Sequence, residues 1–131
     1  MFMKKRIFII LPLLAVALVA AISTQADGVT KRIKFAKGKH SATVSNSVIR
    51  GEVDTYIVGA KAEQMMTVRV TAIENNAAFT VQGPDGEYLQ DAGEEDEARQ
   101  VTNTLPYNGD YKIIVGGTRG NATYRLTVTI R

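Results

Sequence analysis

The sequence contains no cysteine, no tryptophan and a single histidine, His40. Without cysteine there can be no disulfide scaffold, no thiolate metal centre, no cysteine nucleophile and no lipid attached through an N-terminal cysteine. One imidazole is too few for a histidine-based zinc site. His40 stands in a turn-like Lys-Gly-Lys-His-Ser stretch, and no serine is framed by a nucleophile elbow, so a Ser-His-Asp triad has no support and an exposed loop histidine is expected. No metal, no cofactor and no enzymatic activity are expected.

An excess of positive charge is also missing once the N-terminus is set aside. The formal charge is +3, but Lys4, Lys5 and Arg6 lie in a segment expected to be removed, and the remaining acidic and basic residues balance. A neutral chain lacks the basic field that non-specific nucleic-acid binding requires. Leucine is scarce as well. Beyond residue 26 the chain has 3 leucines (Leu89, Leu105, Leu126) against 30 valines, isoleucines and threonines. That bias favours strands over helices.

The first 26 residues read as a signal peptide. A basic start precedes an apolar run over residues 7–22, broken only by Pro12, and a polar stretch ends at Ala26. The run falls short of the roughly 20 apolar residues that span a bilayer. Cleavage after Thr24-Gln25-Ala26 would make Asp27 the first mature residue, and Ala21-Ile22-Ser23 is a second candidate. Residues 27–131 are then one exported domain with no stable membrane insertion, periplasmic or secreted.

Within that domain apolar residues recur with period two. Ile33 and Phe35 flank Lys34; Ala42, Val44 and Val48 alternate with Ser and Thr; Tyr56, Val58 and Ala60 share a side, as do Met66, Val68, Val70 and Ala72. Ala77, Phe79 and Val81 lead into the turn Gly83-Pro84-Asp85-Gly86, and a brief strand is expected around Tyr88 and Leu89. A strand near Val101 and Leu105, another through Tyr111, Ile113 and Val115, and a last one through Tyr124, Leu126 and Val128 complete the set. About seven to nine short strands separated by glycine-rich turns predict a single antiparallel β-sandwich.

Residues 85–97 carry seven carboxylates and no basic residue. Their spacing matches no calcium loop, so a solvated acidic loop is expected.

Particular strings sharpen the reading. They are Phe35-Ala36-Lys37-Gly38 followed by Ser41-Ala42, Asp54-Thr55-Tyr56, Ala60-Lys61-Ala62-Glu63-Gln64, Leu105-Pro106 before Gly109-Asp110-Tyr111, and Thr118-Arg119 before Tyr124. Together they resemble the bacterial pre-peptidase C-terminal (PPC) type of β-sandwich. Within that group the chain resembles the periplasmic inhibitors of goose-type (g-type) lysozyme over residues 33–130. The resemblance implies a non-catalytic partner of g-type lysozyme. Arg119 would enter the muramidase cleft, supported by Thr118, Gly120 and Asn121, with Tyr107 and Asn108 on a neighbouring turn and Asp54 and Tyr56 as further contacts.

The same residues also have structural readings. Asp54 can bond backbone N–H groups, Leu105 to Tyr111 can form a corner closed by a tyrosine hydroxyl, and Gly-Gly-Thr-Arg-Gly-Asn can be turn chemistry at a hairpin tip. The alternative function is a PPC-like module binding envelope polysaccharide or another envelope protein, and a third is calcium-dependent adhesion through residues 85–97.

Overall fold

Alternation of valine, isoleucine and tyrosine with serine and threonine builds eight strands in the computed structural model, which describes residues 28–131. They are β1 (Thr30–Arg32), β2 (Ser41–Val48), β3 (Val53–Ala60), β4 (Met65–Ala72), β5 (Ala77–Gln82), β6 (Gln100–Thr104), β7 (Gly109–Gly117) and β8 (Ala122–Ile130). The expected signal peptide over residues 1–26 lies outside the described residues.

Two four-stranded sheets face each other, with orders β1-β3-β7-β5 and β2-β8-β4-β6. Strand β8 shows why they pack: Ala122, Tyr124, Leu126, Val128 and Ile130 are all buried, and the residues between them face outward. The same period-two rule turns Tyr56 and Val58 of β3, Val68 of β4 and Ile113 and Val115 of β7 into the shared core. The expected all-β sandwich is therefore present.

Odd-numbered strands lie in one sheet and even-numbered strands in the other, so every connection passes from one sheet to the other and no consecutive strands pair. This corrects the expectation of a hairpin tip at Thr118-Arg119. The segment after β7 is an arch that carries the chain from one sheet to the other. Alternation along a strand fixes which face is buried, but it carries no information on which strand lies alongside.

Two local expectations also change. The first strand is not centred on Ile33 and Phe35 but on Thr30–Arg32, which pairs parallel with β3. Its three residues are all exposed, so no pattern announces it. Backbone bonds hold it, including Thr55 N–H to Val29 O at 2.8 Å and Ile33 N–H to Ile57 O at 2.8 Å. The strand expected at Tyr88 and Leu89 reduces to one bridge between Gln82 and Tyr88.

The acidic segment is more than a solvated loop. Its carboxylates are exposed, but its backbone runs along β5, accepting from Val81 N–H at Ala92 O and from Phe79 N–H at Ala98 O, each at 3.0 Å. Ala92 and Ala98 are buried beneath it. The segment thus covers a sheet edge that would otherwise expose unpaired backbone groups. At the entry to β7, the Tyr111 hydroxyl donates to Tyr107 O at 2.7 Å and accepts from Tyr107 N–H at 3.1 Å, the corner read from the sequence.

Candidate functional site

One end of the sandwich gathers three connections: the β2–β3 turn at residues 49–52, the β4–β5 turn at residues 73–76 and the β7–β8 arch at residues 118–121. The arch closes tightly. A side chain at Gly117 would overlap the carbonyl oxygen of Gly120, and Gly120 itself has φ +93°, where other residues are strained.

Neighbouring turns fasten the arch at four points. Thr118 N–H donates to Asn76 O at 2.9 Å, and the Asn76 side-chain amide donates to Asn121 O at 2.9 Å. Arg50 N–H donates to Asn121 Oδ1 at 2.7 Å, and Arg119 Nη2 donates to Glu74 O at 2.7 Å. Asn76 is buried while Arg119 is exposed. The sequence reading missed Asn76, a polar loop residue with no motif around it. Its importance comes from bridging two turns that lie far apart in the chain.

The eight residues expected to act together are divided by the fold. Thr118, Arg119, Gly120 and Asn121 share the arch. Tyr107 and Asn108 lie beyond the other end of β7, about 27 Å away at the rise of an extended strand. They are not on a turn neighbouring Arg119, as expected. There Asn108 Oδ1 accepts from Ala62 N–H at 2.8 Å, and Tyr107 is 48% exposed.

Asp54 and Tyr56 are buried, at 1% and 2% exposure, so neither offers a surface to a partner. This corrects their expected contact role. Asp54 Oδ1 accepts from Val29 N–H at 2.9 Å, and Asp54 Oδ2 accepts from Asn46 Nδ2 at 3.0 Å and from the Tyr124 hydroxyl. The Tyr124 and Tyr56 hydroxyls are 2.6 Å apart. Tyr124 has one hydroxyl hydrogen and gives it to the carboxylate, so Tyr56 donates to Tyr124. Burial, reinforced by the bond to Asp54, pushes the Tyr124 phenol far above the ordinary tyrosine range, and burial likewise raises Tyr56.

His40 is exposed, as a loop histidine should be. Among the described residues no group of three His, Asp or Glu side chains converges on a point where a metal ion could sit.

The overall shape matches that of Aeromonas hydrophila PliG, a periplasmic lysozyme inhibitor of g-type lysozyme. The TM-score is 0.69 and the identity 33%, over 81% of this chain and 100% of that one. The chain belongs to the family of periplasmic g-type lysozyme inhibitors. It is thus a non-enzymatic protein of the periplasm or the exterior. A mutant of the Escherichia coli PliG shares the fold at TM-score 0.64 and 23% identity, covering 79% of this chain and 99% of that one. The pre-peptidase C-terminal domain of a Bacillus anthracis collagenase also shares it, at TM-score 0.57 and 17% identity over 82% and 100% of the two chains. No protein-family model matches the chain, and no curated protein does.

Proposed function

We propose that the protein inhibits g-type lysozyme by placing the arch at residues 118–121 in the muramidase cleft, where Arg119 meets an acidic residue and the arch excludes substrate. The observation that carries this reading is the pairing of a rigid arch with an exposed guanidinium at its tip. Four hydrogen bonds to neighbouring turns, two through its backbone and two through the Asn121 and Arg119 side chains, hold the arch before any partner arrives. Little ordering entropy is then lost on association. One of the five guanidinium N–H donors is spent on Glu74 O. The others can form a two-pronged, charge-assisted contact with a carboxylate. Thr118 and Asn121 shape the arch, and Gly117 and Gly120 let it close.

Tyr107 and Asn108 fall outside this contact because they sit at the far end of the sandwich. Asp54 and Tyr56 act at a distance, by holding the two sheets together.

The test is lysis of cell walls by goose-, chicken- and invertebrate-type lysozymes with and without the protein. Selective loss of goose-type activity is expected. Arg119→Ala should weaken inhibition at least about tenfold, the scale of a charged interface anchor, with unchanged folding. Lack of effect on all three enzymes would overturn the inhibitor reading, and full inhibition by the Arg119 variant would move the contact elsewhere.

A further inference from the structure

The outer face of the second sheet is unlike the rest of the surface. Its outward residues on β2 are all serine or threonine, and those on β8, β4 and β6 are threonine apart from Arg125, Arg69, Gln100 and Met65. No aspartate or glutamate lies on it. Side-chain hydroxyls pair between adjacent strands, at 2.8 Å for Ser47 and Thr123 and 2.9 Å for both Ser41 with Thr129 and Thr67 with Thr102.

Arg125 sits in the middle of this face, opposite Ser45 on one side and Thr71 on the other. Arg69 lies on the adjacent row, opposite Thr127 and Gln100. The two arginines are diagonal neighbours of like charge. Neither is ion-paired among the described residues, whose salt bridge joins Arg32 to Asp110 on the opposite sheet. A shallow groove passes Ser45, Thr71, Ile73, Thr123 and Arg125 and continues toward Asn121, with exposed Glu74 at its far end.

We propose that this face binds an anionic polysaccharide. Arg69 and Arg125 would hold carboxylate or phosphate groups of the strand, and the serine and threonine rows would exchange hydrogen bonds with its hydroxyls. Two adjacent unpaired guanidinium groups on a strand face without carboxylates are complementary to a strand of repeating negative charge. Hydroxyls that already bond one another retain acceptor capacity for a polyhydroxylated chain. Nucleic acid fits less well, because the face offers no aromatic ring for a base to stack on. The inference stands apart from the inhibitor reading and uses different residues.

The test is native electrophoresis of the exported protein through gels cast with polygalacturonate, with neutral dextran, or with neither. Retardation by polygalacturonate alone is expected, weakening as salt is raised. The double variant Arg69→Gln/Arg125→Gln should bind at least about tenfold more weakly and inhibit lysozyme as the native protein does. Thr71→Glu keeps both arginines but sets a carboxylate opposite Arg125, and it should also weaken retardation. Absence of retardation, equal retardation by dextran, or undiminished binding by the folded double variant would overturn the proposal.

Discussion

The Tyr124 hydroxyl donates to the Asp54 carboxylate across the interior, joining β8 of one sheet to β3 of the other. Sandwich sheets ordinarily meet through apolar side chains alone. Here a carboxylate and two phenols sit in the interface, with Asn46 and Val29 N–H completing the donors around Asp54.

That arrangement ranks two conservative substitutions. Tyr124→Phe strips a donor from the buried carboxylate and leaves the Tyr56 hydroxyl without its acceptor, so a loss of about 1–3 kcal/mol is expected. Tyr56→Phe removes a donor from an oxygen that still donates to Asp54, and should cost less, about 0.5–1.5 kcal/mol. Urea titration of the two variants checks the order. Equal losses would mean that the proton assignment along the chain of hydroxyls is wrong.

The same phenols set an alkaline limit. Both are raised by burial in the folded protein, whereas unfolded tyrosines ionise near pH 10. Their stabilisation is complete below about pH 10 and is lost as the pH climbs from there toward the folded values. The melting temperature should therefore fall steeply above about pH 10, and Tyr124→Phe should show a shallower decline. A native profile that stays flat to pH 11.5 would contradict the network.

At the end of the sandwich that carries the arch, Gly117→Ala is expected to damage the proposed inhibition more than its size suggests. The new methyl overlaps the Gly120 carbonyl oxygen, so the arch must open. Overpacking of this kind costs about 1–3 kcal/mol. Inhibition of g-type lysozyme should fall along with stability, whereas Gly38→Ala, at a positive-φ turn with open space around it, should lose stability alone. Inhibition and melting temperature measured side by side separate the two.

Arg32 and Asp110 give an acid-side prediction. Arg32 reaches across β3 above Gly59 and grips both Asp110 oxygens, at 3.1 and 2.7 Å. The hydrogen bonds from Arg32 hold the Asp110 carboxyl below its ordinary value. The pair therefore stabilises the fold above the unfolded aspartate value, about pH 4, and the contribution is lost as pH falls through the lower folded value. Both side chains are exposed, so salt should erase the effect. Asp110→Asn should lower the melting temperature at pH 7 in low salt, and the difference should shrink progressively as the pH is taken below about 4 and vanish in 1 M salt.

Much of this protein is written in the order of its residues. The scarcity of leucine, the abundance of β-branched residues and the period-two alternation determine the strand class and, residue by residue, which side chains of β3, β4, β7 and β8 face inward. The Tyr111 corner and the exposed His40 are legible for the same reason, since each depends on neighbours a few positions away. Pairing is a different matter. Only the tertiary structure decides that β7 and β8 lie in opposite sheets, that Thr30–Arg32 forms an edge strand with no apolar pattern, and that the acidic segment covers β5. It also separates Tyr107 and Asn108 from Arg119 and supplies the donors that let the carboxylate of Asp54 lie out of solvent. The physical reason is common to all of these: alternation reports the face on which a side chain falls, while proximity depends on backbone hydrogen bonds between distant segments, which every residue can accept and any residue except proline can donate.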